Sequence, residues 1–135
     1  FVDTNVLVYA HDRSAGAKHE AARDLVRSLW VDGNGCLSIQ VLQEFFVTIT
    51  RKVPRPLAPE AAAEIVADLS AWDVHSPPAP DVLAAIRWSE RYGVSFWDAM
   101  ILVSAGALGC DVVWSEDLSA CQRYGDAQVV NPLTP

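Results

Sequence analysis

Four acidic residues occupy positions in the chain where a carboxylate is able to do chemistry: Asp3, Glu44, Asp98 and Asp117. Asp3 ends an apolar run, Asp98 opens an almost wholly apolar stretch, and Asp117 follows another apolar segment. An unpaired carboxylate is costly to desolvate at such places, so a compensating positive charge is needed. Because the chain has only two lysines, the natural choice is a hard divalent cation with oxygen ligands, Mg²⁺ or Mn²⁺. Such a site activates water and clamps a phosphodiester.

Each of these carboxylates also has a purely structural interpretation. Asp3 can cap the turn after its strand. Asp98 stands three residues after Ser95, which is the spacing of a capping box, and its charge favours the start of a helix. Asp117 can open a short helix in the same way, and Glu44 can be an ordinary solvated residue. For any one of these residues taken alone, the structural interpretation is favoured over the functional one. The four residues taken together favour a shared site.

Alternating helices and strands are predicted to position these side chains. Apolar residues recur at helical spacing over about 17–30, 39–52, 59–72, 80–92 and 96–108, with a shorter helix expected over 118–124. Short apolar segments predict strands at 1–3, 36–38, 73–75, 112–114 and 128–130. We therefore expect one α/β domain over residues 1–135, with a central parallel sheet of four to five strands flanked by helices. Ligands bind beyond the carboxyl ends of such strands, where Asp3 and the 115–117 segment fall.

The composition is that of an ordinary globular protein, with a formal net charge of −7. The longest apolar stretch, 99–108, is too short to cross a membrane, and three scattered cysteines favour a reducing cytoplasm. The first residue is not Met, so we expect residues to precede Phe1. An acidic chain binds nucleic acid poorly by bulk charge. Either the negative charge is concentrated at a cation site or the natural partner of the chain is basic.

One tight basic cluster follows Glu44 along the chain and consists of Arg51, Lys52 and Arg55. On an ideal helix, Glu44, Thr48 and Arg51 lie at i, i+4 and i+7 and so share a face. The cluster is therefore a candidate for contact with an RNA backbone beside the metal site. The alternative is that Arg51 and Lys52 only complement the helix C-terminus.

Four phrases of the sequence resemble a known family of nucleases, the PIN domains, and within it the VapC toxins of toxin–antitoxin systems. Residues 1–10 read FVDTNVLVYA, which is similar to the opening strand and first helix of PIN domains. Residues 43–45 (QEF), 95–101 (SFWDAMI) and 114–118 (WSEDL) resemble the second, third and fourth acidic positions. The phrases occur in the family's order along the whole chain.

The resemblance implies a three-layer PIN-like fold and a Mg²⁺- or Mn²⁺-dependent endoribonuclease that hydrolyses RNA. Asp3 and Asp98 would hold the metal directly, assisted by Asp117, with Glu44 completing the site or orienting water. The resemblance further implies a homodimer and inhibition by a cognate antitoxin, which we expect to be basic.

Three neighbouring polar residues are supporting candidates. Asn5 and Ser115 either orient a ligand or water, or serve as turn and cap residues. Glu116 adds a fifth carboxylate, to which the family pattern assigns no role.

Other function classes fit the residues less well. A haloacid-type phosphatase requires a second Asp where Asn5 stands. A receiver domain requires a lysine after a late strand, and the only lysines are Lys18 and Lys52. A non-catalytic PIN-like interaction module usually lacks one or more acidic positions, and all four are present. A PIN nuclease that acts in RNA processing, and is not a toxin, stays open as an alternative.

Overall fold

The structure, a computed structural model, describes residues 1–134. Its helices are α1 (Thr4–His11), α2 (Ala17–Asp32), α3 (Ile39–Arg51), α4 (Pro59–Leu69), α5 (Ala79–Tyr92) and α6 (Phe96–Ala107). Its strands are β1 (Cys36–Ser38), β2 (Asp73–His75), β3 (Val112–Trp114), β4 (Arg123–Tyr124) and β5 (Ala127–Val130). The predicted α/β class is confirmed.

The strands form a two-stranded and a three-stranded unit that the first residues of the chain connect. β1 pairs in parallel with β2, β3 pairs in parallel with β5, and β4 pairs antiparallel to β5. Val2 bridges in parallel to Trp114, and its backbone N–H donates to the carbonyl oxygen of Cys36 at 3.0 Å. Residues 1–3 therefore lie between β1 and β3. The spatial order is β2, β1, residues 1–3, β3, β5 and β4, and the antiparallel edge strand was not predicted.

Short polar side chains start the three helices that carry the acidic residues. Asp3 accepts a hydrogen bond from the backbone N–H of Thr4 at the start of α1, and Ser38 caps α3. Ser95 accepts from the backbone N–H of Asp98 at the start of α6. Each cap satisfies an N–H group that the first turn of a helix leaves free. The caps thereby define where α1, α3 and α6 begin.

The core is built on the apolar faces of α1, α3 and α6 against the strands. Its largest fully buried side chains include Phe45, Leu7, Leu37 and Leu102. A smaller cluster, centred on Met100, joins α5 to α6. Among residues 1–134, no helix is both long and apolar enough to cross a membrane.

The helix predicted over residues 118–124 is wrong, because the strand pairing of this segment competes with helix formation. Cys121 adopts a left-handed conformation (φ 67°), and its backbone N–H donates to the carbonyl oxygen of Val129 at 2.8 Å. Val129 N–H in turn donates to Gln122, and Gly125 (φ 60°) turns the chain into β5. The segment is therefore a hairpin that covers the edge of the sheet.

Candidate active site

Asp3 is a buried carboxylate surrounded by neutral hydrogen-bond donors. Its side chain belongs to a residue only 6% exposed, at the end of the segment between β1 and β3. It accepts hydrogen bonds from Thr4 N (2.7 Å), Ser115 Oγ (2.8 Å) and Asn5 Nδ2 (3.1 Å). Within residues 1–134 no Lys, Arg or His forms an ion pair with it. Burial therefore raises the pKa of Asp3 to about 6, although the donors from Ser115 and Thr4 act in the opposite direction.

Asn5 and Ser115 hold Asp117 beside Asp3. The Asn5 amide Nδ2 donates to Asp3 and also to Asp117 Oδ2 at 3.1 Å, while its Oδ1 accepts from the backbone N–H of Glu116 at 3.1 Å. Ser115 Oγ donates to Asp3 and accepts from the backbone N–H of Asp117 at 3.1 Å. These bonds tie the turn after β3 to the start of α1. Both supporting candidates therefore contact the carboxylates directly.

Glu44 approaches the same region from α3. Its Oε2 accepts a hydrogen bond from Thr4 Oγ1 at 3.4 Å, and its Oε1 accepts from Gln40 Nε2 at 2.6 Å. Gln40 Nε2 also donates to the backbone carbonyl of Trp97 at 3.2 Å. One amide group thus connects α3 to the first turn of α6. The sequence analysis did not identify Gln40, although its position one helical turn before Glu44 is a usable signal.

Asp98 lies in the first turn of α6 and is partly buried. Burial raises the pKa of Asp98, and the nearby charge of Asp117 raises it further. Asp98 and Asp117 also contribute to the raised pKa of Asp3. A cation in the cleft that these three carboxylates share would relieve the repulsion among them.

All four predicted acidic residues line one cleft, which has a volume of about 460 Å³. We call this the carboxylate cleft. Within residues 1–134, no three His, Cys, Asp or Glu side chains are placed to enclose a single ion. The carboxylates therefore share the walls of the cleft without meeting at one point. Asp98 is partly exposed and Asp117 exposed, so both have room to change rotamer.

A second cavity, of about 520 Å³, lies between α2 and α4 and is slightly larger. Its walls are formed mainly by Trp30, Ile65 and Leu69, with His11 and Asp68 as its only titratable residues. We place the chemistry in the carboxylate cleft, because several mutually repelling carboxylates and a buried acid of raised pKa are concentrated there.

The fifth acidic residue, Glu116, is compensated by a lysine from another helix. Lys18 on α2 forms an ion pair with Glu116, and its ammonium lies 5.0 Å from the centre of the Tyr9 ring. Glu116 and Tyr9 both line the cleft. Glu116 therefore differs from Asp3, which has no cationic partner among the described residues. The sequence analysis missed this ion pair, which joins residues far apart in the chain.

Of the predicted basic cluster, the structure brings only Lys52 to the carboxylate cleft. Glu44, Thr48 and Lys52, spaced by four residues, all line it, whereas Arg51 and Arg55 are exposed and do not. The face of α3 that carries Glu44 and Thr48 was predicted to continue to Arg51. In the structure it continues to Lys52. An RNA contact by Arg51 or Arg55 stays a prediction.

Comparison with known proteins identifies the family. The family model of the PIN domain matches residues 1–125 of the chain. The chain belongs to the PIN domain family. Among solved structures, it is similar to the crystal structure of VapC20 from Mycobacterium tuberculosis, a toxin that cleaves the sarcin–ricin loop. The TM-score is 0.65 at 22% identity, over 87% of this chain and 88% of that one. No curated protein sequence matches the chain.

The residues of this PIN domain fit a hard divalent cation by their donor chemistry. The four acidic side chains that line the carboxylate cleft, Asp3, Glu44, Asp98 and Asp117, offer oxygen, the ligand atom that Mg²⁺ and Mn²⁺ prefer. Asp3 is held by neutral groups alone and is adjacent to two other carboxylates. Burial, and to a smaller extent the charges of Asp98 and Asp117, raises the pKa of Asp3, and no cationic side chain among the described residues offsets them.

Neutralising Asp3 should stabilise the metal-free protein at neutral pH. Because the pKa of Asp3 rises from 3.8 to about 6 on folding, the folded state is favoured when Asp3 is protonated. This stabilisation is complete below about pH 4 and is lost as the pH rises through about 6. We expect Asp3→Asn in EDTA to raise the free energy of unfolding by ~1–3 kcal/mol at pH 8, with the difference shrinking towards pH 4. Urea unfolding across this pH range measures it.

Asp24→Asn is the matched control, since Asp24 is an exposed carboxylate on α2. It should leave both the stability and its pH dependence close to those of the unmodified protein. A destabilised Asp3→Asn variant at pH 8 would contradict the account of the buried charge.

Proposed function

We propose that this PIN domain is an endoribonuclease that hydrolyses RNA phosphodiester bonds with Mg²⁺ or Mn²⁺, and that it is the toxin of a toxin–antitoxin pair. The observation that carries the proposal is the buried, uncompensated Asp3, which shares one cleft with Glu44, Asp98 and Asp117. Desolvating a carboxylate without a cationic partner is unfavourable, which supports a functional role for Asp3 beyond capping α1.

The four carboxylates would divide the work between holding the metal and placing water. Asp3 and Asp98 would hold the cation directly, with Asp117 assisting from the turn after β3. Glu44, oriented by Gln40 and exposed to solvent, would complete the site or accept a hydrogen bond from the attacking water. When bound, the cation would lower the pKa of water and polarise the phosphodiester.

Asn5 and Ser115 would act as positioning residues for this set. Both donate to Asp3, and both fix the turn that carries Asp117. Their donated hydrogen bonds favour the ionised form of Asp3 and so oppose the effect of burial. They would keep Asp3 available as a ligand once a cation balances its charge.

RNA is the proposed substrate because a structurally similar PIN protein, VapC20, is a toxin that cleaves an RNA loop. The open cleft, whose wall includes the charged Lys52, is compatible with an extended nucleic-acid strand. The negative charge of the chain, concentrated in part in this cleft, would be offset locally when the cation and the substrate bind together.

Cleavage should depend on the carboxylates and on the cation. We expect purified protein to cut total RNA with Mg²⁺ or Mn²⁺ and to be inactive in EDTA. Asp98→Asn and Asp3→Asn should each lower kcat by at least ~100-fold, because each removes a ligand that stabilises the transition state. Gel analysis and mapping of the cut ends measure this effect.

Asp24→Asn, remote from the cleft, should retain full activity in the same assay. Circular dichroism should show that all three variants are folded. Undiminished cleavage by folded Asp3→Asn, or cleavage in EDTA, would refute the proposed mechanism.

Lys52 is the basic residue that we expect to contact the substrate backbone beside the metal site. Lys52→Gln should raise KM for RNA several-fold and reduce the salt dependence of KM, with little effect on kcat, because one phosphate contact is lost. The matched variants Arg51→Gln and Arg55→Gln remove the same charge outside the cleft. If all three variants raise KM equally, the effect belongs to the charge of the whole cluster and not to the cleft.

The partner that we propose is a small basic antitoxin. A cleft with uncompensated carboxylates is a favourable site for an Arg or Lys side chain, which would compete with the metal. A protein encoded beside this one should therefore co-purify with it, and Asp3→Asn with Asp98→Asn should weaken the complex. Lack of toxicity on expression, together with no such partner, would favour the alternative of a PIN nuclease in RNA processing.

A homodimer is also part of the proposal. Helix α5 exposes Val82, Leu83 and Ile86 side by side, and an apolar patch of this kind is typical of an interaction surface. Light scattering on the purified protein decides between a monomer and a dimer.

A further inference from the structure

The carboxylate cleft is lined by one exposed tryptophan, Trp97, to which the proposed mechanism gives no role. Trp97 lines the carboxylate cleft and precedes Asp98 in the chain, yet 65% of its surface is exposed. Trp97 and Asp98 both line this cleft, so the indole and the carboxylate that we place at the metal share its wall. An exposed tryptophan is costly in apolar area, and this one lies where a substrate would pass.

The indole is held on a rigid support. The carbonyl oxygen of Trp97 accepts a hydrogen bond from Gln40, the residue that also orients Glu44. The Phe96 ring packs against the indole edge-to-face, with centroids 5.0 Å apart and planes at 77°. The helix that follows is buried along 99–105, so its first turn cannot move freely. The backbone that carries the indole is therefore held against α3, and the indole itself packs on Phe96.

Trp30, the other exposed tryptophan, provides a contrast. Its ring centroid lies 5.3 Å from that of Trp72, with the planes tilted at 58°, and it lines the cavity between α2 and α4, away from the carboxylates. Trp30 thus packs on a residue from a distant segment, whereas Trp97 packs on its chain neighbour Phe96. Only Trp97 combines exposure with a place in the carboxylate cleft.

We propose that Trp97 forms a stacking subsite for one unpaired nucleobase next to the scissile phosphate. This inference rests on the proposed ribonuclease function and specifies its substrate class. Every nucleobase has a π-face, so stacking on tryptophan tolerates different bases. A base inside a double helix is already stacked on both sides and cannot reach the indole, whereas a base in a loop or a single strand can. The subsite therefore selects RNA that is unpaired at the cleavage point.

The test compares binding of unpaired and paired RNA to Trp97 variants. Each variant also carries Asp3→Asn, the substitution expected to abolish most cleavage, so that the RNA stays intact during measurement. The probes are a fluorescent oligoadenylate and a blunt RNA duplex of the same length, both in Mg²⁺. Trp97→Ala should weaken binding of the oligoadenylate by ~10-fold or more, and Trp97→Phe by less, because stacking on an aromatic ring accounts for a large part of the affinity per base. Binding of the duplex should change little.

The control is Trp30→Ala, which removes an exposed indole outside the cleft and should leave both affinities unchanged. Unaltered oligoadenylate binding by folded Trp97→Ala or Trp97→Phe overturns the subsite, and so does an equal loss for both probes. If Trp97→Ala instead changes only the oligomeric state or the capture of a basic peptide, the indole belongs to a protein interface and the subsite is refuted. If the oligoadenylate binds through Trp97 but no cation supports cleavage, the proposed enzyme fails while the subsite stands.

Discussion

The structure depends on the burial of one charge, that of Asp3, at the junction of the two parts of the sheet. Residues 1–3 are hydrogen-bonded to β1 on one side and to β3 on the other, and Asp3 N–H donates to the carbonyl oxygen of Trp114. The same residue caps α1 with its side chain. Its carboxylate cannot turn to solvent without losing the cap of α1 and the hydrogen bonds from Ser115 and Asn5. The surroundings must therefore adapt to the charge.

The groups that bind the Asp3 carboxylate are neutral hydrogen-bond donors, and no cationic side chain among the described residues pairs with it. Asn5 and Ser115 bind Asp3 and also bring Asp117 to it, which adds a second negative charge and raises the pKa of Asp3 further. Lys18 compensates Glu116 on the outer side of the cleft, not Asp3. Because burial raises the pKa of Asp3, we expect this arrangement to make the folded protein less stable at neutral pH than a neutral side chain at position 3 would. On the proposed function, a divalent cation would reverse that penalty, and folding and metal binding would be coupled through the same residue.

Local patterns in the sequence predicted most of the helices and strands. Strand 112–114 and the helix from residue 96 follow from apolar spacing, and the four acidic residues singled out in the sequence line one cleft. Interactions between distant segments were not predictable. The 118–124 segment pairs with β5 instead of forming a helix, and the ion pair of Lys18 with Glu116 joins α2 to the turn after β3. The choice of Lys52 over Arg51 depends on the exact rotation of α3, which an ideal helix does not determine.

Thermal melting of the protein with and without Mn²⁺ tests the central claim, that Asp3 is the uncompensated charge that a cation balances. Bound ligand stabilises the folded state by mass action. The account predicts that Mn²⁺ at about a hundred times its Kd raises Tm by about 5–10 °C at pH 8. The Asp3→Asn variant should have a higher Tm than the unmodified protein without metal, and Mn²⁺ should not raise it. The Asp24→Asn variant should behave like the unmodified protein. An equal rise in all three proteins, or none in the unmodified one, would contradict the claim.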